Sequence, residues 1–164
     1  MYLIRFLFSC TALALLTSAA VAQDRSLNWA MCEDSDSDVS IIGCTMVLQS
    51  GQEPEANLAI AFFNRGFAYA NKQDYDRAIE DFGQAIRLNP NNSRAFSNRA
   101  FAYANEQDYD RAIEDYSQAI QLNPNNARAF FNRGLAYANK QDYDRAFEDY
   151  GQANRLNLNN SSLR

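Results

Sequence analysis

The stretch NRGFAYANKQDYDRAIEDFGQAIRLNP, residues 64–90, returns almost unchanged from Asn98 and again from Asn132. Each step is 34 residues long. A unit of this length cannot bury its own apolar face, so it has to pack on its neighbours. The repeat therefore predicts a stack of like units, a solenoid, rather than a globular domain with one central core.

Each unit has the pattern of two helices joined by a tight turn. In the first unit we expect helix A over about residues 55–71, a turn at residues 72–73, and helix B from its cap Asp74 to near Leu88. Pro90 then stops helix B, because a proline cannot continue a helix. The same signals recur at Asp108, Pro124 and Asp142.

This pattern resembles the tetratricopeptide repeat family, which has an aromatic, a small residue and Tyr on helix A, then Ala, an aromatic and Ala on helix B, then Pro. The first unit has Phe62, Gly66, Tyr69, Ala78, Phe82, Ala85 and Pro90. The second has Phe96, Ala100, Tyr103, Ala112, Tyr116, Ala119 and Pro124. The third has Phe130, Gly134, Tyr137, Ala146, Tyr150 and Ala153, with Leu158 in place of the proline.

The resemblance covers about residues 58–160, in three units at about 59–92, 93–126 and 127–160. It implies an all-α fold, a right-handed α-α superhelix of three helical hairpins. Small residues are expected where paired helices cross closely, and the aromatics are expected to fill the core between crossings.

Each unit carries an arginine on helix A where the family usually has leucine, and an aspartate at a fixed spacing on helix B. A half-buried arginine needs a charged partner. We therefore expect an Arg–Asp pair between helices, either inside one unit or across a unit boundary. The pairs are drawn from Arg65, Arg99 and Arg133 and from Asp81, Asp115 and Asp149.

The last unit differs from the others on helix B. Asn154 stands where the earlier units have Ile86 and Ile120, and Leu158 replaces the proline. A final helix has no following unit, so a polar residue there is typical of a terminal cap. The alternative is sequence drift in a degenerate repeat, or a face left for another subunit. Residues 161–164 are polar and are expected to fray.

Residues 23–57 are expected to form an N-terminal cap on the first unit. The spacing from Val39 to Gln49 predicts a helix that resembles the second helix of a unit lacking its first. Cys32 and Cys44 are predicted to form a disulfide that ties the lead-in segment, including Trp29, to this helix. Two buried thiols are the alternative.

The acidic run EDSDSD, residues 33–38, lies between the two cysteines. A calcium loop starting at Asp34 would need Gly and Glu where Val39 and Thr45 stand. The run is therefore interpreted as a solvated turn whose last acid caps the following helix. No metal site and no cofactor are predicted.

Residues 1–22 have the pattern of a secretory signal peptide, with Arg5, an apolar run and a small-x-small site ending at Ala22. The alternative is a short membrane anchor, although the apolar stretch is interrupted and short for a span. The chain is therefore expected to be exported, periplasmic or secreted, with no membrane span after cleavage.

The composition excludes several functions. The net charge of −5 argues against nucleic acid as a partner, because phosphate binding needs a basic surface. The chain contains no histidine, which removes Ser–His and Cys–His nucleophiles and the commonest general base. The repeated acids are explained as caps and solvated faces, so a non-enzymatic protein is predicted.

The family resemblance places function on the concave surface lined by the A helices. Asparagines at one repeated position could hydrogen-bond the backbone of an extended peptide, since an amide both donates and accepts. Exposed aromatics beside them would offer apolar pockets. The predicted groove residues are Phe63, Asn64, Phe67, Asn71, Arg94, Ser97, Asn98, Phe101, Asn105, Arg128, Phe131, Asn132, Leu135 and Asn139.

The predicted function is binding of an extended peptide or partner segment in this groove. A Lys/Asn/Arg clamp for a peptide's terminal carboxylate, known in this family, is mostly missing here, because Phe63 and Phe67 occupy two of its positions. Some groove aromatics could instead pack on neighbouring helices. The alternative function is a structural adaptor that assembles through its end faces or with itself, and a monomer or weak homo-oligomer is expected.

Overall fold

The computed structural model describes residues 22–161, and this range contains helices and turns but no strand. The predicted all-α class is confirmed. The helices are α1 at 22–32, α2 Ser37–Gln49, α3 Glu55–Asn71, α4 Tyr75–Leu88, α5 Ser93–Asn105, α6 Tyr109–Leu122, α7 Ala127–Asn139 and α8 Tyr143–Ser161. None of the helices in this range is long and apolar enough to cross a membrane. All but the last residue of the predicted leader lies outside it.

From α2 onward, each helix packs against the next one along the chain. In addition, α3 contacts α5 and α5 contacts α7, so the A helices lie side by side. Contacts therefore run between neighbours along a line, as in a solenoid built from repeated units. All the predicted groove residues belong to these three A helices.

The turn between helices A and B is the same in every unit. Gln73, Gln107 and Gln141 adopt left-handed φ angles of 61°, 61° and 62°. In the first unit the N–H of Gln73 donates to the Ala70 carbonyl and the N–H of Asp74 donates to the Tyr69 carbonyl. This Schellman arrangement satisfies the last carbonyls of α3. The predicted tight turn is confirmed.

The predicted aspartate caps of helix B are also confirmed. The side chains of Asp74, Asp108 and Asp142 accept the backbone N–H of the residue three positions later. Each also pairs with the arginine at that position. The hydrogen bond from the Arg77 side chain lowers the pKa of Asp74, and the two later caps shift in the same direction for the same cause.

Paired helices cross closely at the predicted small residues. A Cβ at Gly66 would lie 3.1 Å from the Phe82 ring, and one at Gly134 would lie 2.8 Å from the Tyr150 ring. Phe82 is fully buried at the first of these crossings, and Tyr116 is fully buried with Ala100 and Ala112 in the middle unit. The small–aromatic contact thus sets how near helix A comes to helix B.

The predicted Arg–Asp pair is present in all three units, and it lies inside each unit. Arg65 on α3 donates from Nε and Nη2 to both carboxylate oxygens of Asp81 on α4, at 2.7 and 2.8 Å. The pairs Arg99–Asp115 and Arg133–Asp149 repeat this fork. The three aspartates are buried and the arginines are half-buried.

Two of these arginines also reach across the unit boundary. Nη1 of Arg133 donates to the Ser117 hydroxyl on α6 at 3.0 Å, and Nη1 of Arg65 donates to the Thr45 hydroxyl on α2 at 3.1 Å. For Arg99 of the middle unit, the corresponding residue on the preceding helix α4 is Gly83, which has no side chain to accept a hydrogen bond. One guanidinium can therefore join three helices.

At the N-terminal end, the expectation that α2 lacks a helical partner is wrong. Residues 22–32 form α1, and a Cβ at Gly43 would lie only 2.4 Å from Met31 and Cys32, so α1 and α2 cross very closely. The predicted Cys32–Cys44 disulfide is confirmed and joins them at this crossing. Asp36, and not Asp38 as expected, caps α2.

Glu53, in the link between α2 and α3, anchors α1. Its side chain is inaccessible to solvent. The two carboxylate oxygens accept hydrogen bonds from Nε and Nη2 of Arg25, at 2.6 and 2.8 Å. The carboxylate also accepts hydrogen bonds from Trp29 Nε1 at 3.2 Å and from Asn57 Nδ2 at 2.7 Å. Hydrogen bonds from Arg25 lower the pKa of the Glu53 carboxyl to about 2, although burial opposes this.

At the C-terminal end, α8 runs to Ser161, past the position where α4 and α6 end. Leu158 stands where the first two units have proline, so nothing stops the helix there. The predicted frayed tail at 161–164 is helical at its first residue, and its other residues lie outside the described range. Asn154 is exposed on the last helix, as expected of a terminal unit.

Acidification is expected to release α1 from Glu53, which lies in the connection between α2 and α3. Because the carboxyl pKa falls from about 4.3 in the unfolded chain to about 2 when folded, ionised Glu53 stabilises the fold above about pH 4.3. This contribution is lost as the pH falls towards 2. Trp29 is the single tryptophan, so its fluorescence during an acid titration reports the release.

The matched control is Glu53→Gln, which cannot ionise. We expect its Trp29 emission to stay constant over the same pH range and to resemble that of the acidified wild type. An equal acid transition in both proteins would show that Glu53 does not hold α1.

Candidate binding groove

The surface formed by α3, α5 and α7 is rich in exposed apolar side chains. Large side chains that are 39–48% exposed lie along it: Ile60, Phe67, Phe101, Phe131 and Leu135. Arg94 and Arg128 are exposed at the first turns of α5 and α7. All of these residues except Ile60 are among the predicted groove residues, and they are exposed on A helices that contact one another.

The repeated position at 63, 97 and 131 gives the groove its uneven floor. The Phe63 ring is half-buried, 5.8 Å from that of Phe82 on the paired helix, and the Arg94 guanidinium lies 5.2 Å above it. Phe131 packs in the same way on Tyr150, at 5.4 Å. The middle unit has Ser97 at this position, so a small residue lies between two aromatics.

Ser97 makes no use of its hydroxyl within the described range. Its Oγ is buried and has no hydrogen-bond partner there. An unpaired buried hydroxyl costs about 1–3 kcal/mol of stability. The repeated position at the middle unit therefore contains a buried hydroxyl without a hydrogen-bond partner among the described residues.

The three repeated asparagines lie half-buried on this face, but they are not equivalent. Burial raises the pKa of the Tyr116 hydroxyl, and the neighbouring Asn132 side chain opposes this rise. Asn64 Nδ2 lies 4.0 Å from the Cys32 sulfur. The amide ladder predicted from the sequence is therefore partly engaged inside the protein, and Asn98 is its most available member.

The remaining predicted asparagines lie at the C-terminal ends of the A helices and are exposed. Asn105 Nδ2 donates to the Phe101 carbonyl at 2.8 Å, and Asn139 Nδ2 donates to the Leu135 carbonyl at 2.9 Å. These amides satisfy the ends of their own helices. Asn71 occupies the same position on α3.

Two pockets flank Ile60 and Asn64 at the N-terminal end of the groove. One, of about 660 Å³, extends between α3 and the start of α5, past Phe63 to Arg94. The other, of about 470 Å³, extends past Phe67 to residues 33–35 of the α1–α2 connection. The cap thus contributes directly to the groove.

Sequence reasoning missed this contribution of the cap. It treated the acidic run as a solvated turn, although Glu33 and Asp34 line the pocket beside Phe67. The missing information was α1, which brings Cys32 and the residues after it against α3. The groove therefore has an acidic edge beside α3 and exposed arginines on α5 and α7. Within residues 22–161, no cluster of acids or cysteines is arranged to hold a metal ion.

Family models for the tetratricopeptide repeat match four overlapping parts of the chain, at residues 59–92, 82–114, 102–141 and 127–160. Together they run without a gap over residues 59–160. The chain belongs to the tetratricopeptide repeat family. Proteins of this family are interaction scaffolds and not enzymes, which agrees with the non-enzymatic role predicted from the sequence.

Solved structures with the same fold include a peptide complex. The second TPR domain of Spaghetti (RPAP3), bound to the HSP90 peptide SRMEEVD, is 32% identical, with a TM-score of 0.60 over 62% of this chain and 94% of that one. The Arabidopsis OM64 TPR domain is 24% identical, with a TM-score of 0.62 over 63% and 85%.

The crystal structure of MamA covers more of the chain. It is 24% identical and has a TM-score of 0.73 over 87% of this chain and 81% of that one. At this identity, OM64 and MamA are similar to the chain in fold alone. No curated protein sequence matches the chain significantly.

Replacing Ser97 with alanine should leave the free energy of unfolding unchanged or raise it by at most about 3 kcal/mol. The reason is that the substitution removes an unpaired buried hydroxyl. Ser117→Ala is the matched control. Its hydroxyl donates to the Ile113 carbonyl and accepts Arg133 Nη1, so its loss should destabilise the chain. Free energies of unfolding in urea would check both. A larger loss for Ser97→Ala than for Ser117→Ala would contradict this account.

Proposed function

We propose that the chain is an exported interaction module that holds an extended segment of a partner protein in the groove of α3, α5 and α7. The observation that carries the proposal is the row of exposed apolar side chains along these three helices. Monomeric proteins rarely leave such a row open without a binding role. The peptide bound to the TPR domain of Spaghetti, a relative of the same fold, supports the same type of function.

The proposed architecture is a right-handed superhelix of three hairpins, at residues 59–92, 93–126 and 127–160, with α1 and α2 as an N-terminal cap. The side-by-side contacts of α3, α5 and α7 support it, because they place the A helices on one face. The disulfide between α1 and α2 supports the cap as a unit of its own.

Export of the chain is part of the proposal. Disulfides persist in the periplasm and outside the cell, and they are rare where thiols are kept reduced. The Cys32–Cys44 bridge supports such a compartment, together with the signal-peptide pattern of residues 1–22.

The groove favours a segment with bulky apolar side chains. In our proposal, the small Ser97 between Phe63 and Phe131 leaves room for one such side chain of the bound segment. Phe67 and Phe101 contact the side chains of the segment on either side of it. Asn98 can then hydrogen-bond the backbone of the segment without reading its sequence. Specificity arises from the positions at which the three units differ, and affinity arises mainly from the exposed aromatics.

A random-peptide display library selected on the immobilised full chain tests this proposal. Peptides selected on the wild type should bind the double variant Asn98→Ala/Phe101→Ser roughly tenfold or more weakly, because a central aromatic anchor and an amide are lost. Binding would be measured by fluorescence anisotropy with the selected peptides.

The control is Phe147→Ser, which removes an exposed aromatic that lies on α8, outside the groove. We expect it to bind the selected peptides as the wild type does. Peptide binding that survives in the groove variant and disappears in the α8 variant would reject the groove as the site.

A further inference from the structure

The outer face of α8 is the most exposed apolar surface in the described part of the chain. Phe147 is 79% exposed and Tyr143 is 67% exposed, above every other large hydrophobic side chain there. They are one helical turn apart, so they lie on the same side of the helix. Asn154 is polar, as expected of a terminal cap. Phe147 and Tyr143 are exposed on the same helix, so the expected polar cap is incomplete.

The same positions are covered in the earlier units. Tyr75 and Ile79 on α4 are half-buried in a cluster with Ala102 of α5. Tyr109 and Ile113 on α6 pack in the same way with Ala129 and Ala136 of α7. Side chains at these positions are therefore interface residues elsewhere in this chain, and on α8 they lack the helix that would cover them.

The N-terminal end of another copy, with α1 outermost, is poorly suited to pack on this face of α8. An A helix presents alanines to the helix before it, such as Ala61 against α2 and Ala129 against α6. One period before Ala61 the residue is Leu27, which is far bulkier. A head-to-tail stack of copies would therefore have to fit a leucine where this interface admits an alanine.

We propose that α8 of a second copy covers this face, with the two helices antiparallel about a two-fold axis. Phe147 of each copy then meets Gly151 of the other, and Tyr143 meets Asn154, because both pairs are centred near residue 149, where the two-fold axis passes. Gly134 already receives the Tyr150 ring in this way inside the third unit. A surface that pairs with itself is the usual basis of symmetric dimers.

The charges on α8 favour the antiparallel arrangement. Exposed Asp144 lies near the start of the paired segment, and exposed Arg155 lies near its end. Antiparallel pairing brings Asp144 of one copy to Arg155 of the other, and it also opposes the two helix dipoles. A parallel pair would place like charges together.

Sedimentation of the full chain over a range of concentrations tests the dimer. The wild type should dimerise, and Phe147→Glu should weaken the dimer by roughly tenfold or more, because it buries a charge at the centre of the interface. Phe67→Glu is the control, since it places the same charge in the groove, and its dimer should be as strong as that of the wild type. A wild type that stays monomeric, or a dimer that Phe147→Glu leaves intact, would overturn the proposal.

Disulfide trapping tests the orientation of the two helices. In a Cys10→Ser background, a mixture of Tyr143→Cys and Asn154→Cys chains should give a crosslinked pair under oxidation. Tyr143→Cys alone should not crosslink, because its two copies would lie about 16 Å apart along the helices, at 1.5 Å per residue. Crosslinking of Tyr143→Cys with itself, but not with Asn154→Cys, would overturn the antiparallel arrangement.

Discussion

The buried Arg–Asp pair between helices A and B is the constraint on which the rest of this structure depends. Each aspartate lies inside its hairpin, where an unpaired charge would be strongly unfavourable. The arginine fork fixes both the distance and the rotation of helix A on helix B, because it bonds both carboxylate oxygens. Its third nitrogen then reaches the preceding unit in two of three cases. Pairing inside a hairpin and stacking between hairpins are thus set by one side chain.

This repeated frame leaves few positions free to differ, and those positions make the groove. Phe63, Ser97 and Phe131 occupy the same position in the three units, which gives a small residue between two aromatics. The cap adds what the repeats do not have, namely a disulfide-linked crossing and an acidic edge beside Phe67. The frame also explains the α8 face, since Phe147 occupies a site that every earlier unit covers.

The repeats could be predicted from the sequence almost completely, since three copies report the same turn, cap and crossing. The Arg–Asp pair was also predictable, although the sequence left open whether it closes within a unit. The cap was not, because α1 has no repeated partner and its position depends on the buried Glu53 and on the close contact at Gly43. The engagement of Asn132 with Tyr116 could not be predicted either, since amide partners depend on packing.

The free energy of unfolding of Asp115 variants tests the central constraint most directly, because Arg99 has only Gly83 opposite it on the preceding helix. We predict that Asp115→Ala costs about 3–5 kcal/mol, since it leaves a half-buried guanidinium unpaired. The paired replacement Arg99→Met/Asp115→Leu should recover most of that loss. Glu114→Ala, an exposed neighbour, should change stability by no more than about 0.5 kcal/mol. An Asp115→Ala variant as stable as Glu114→Ala would contradict the account.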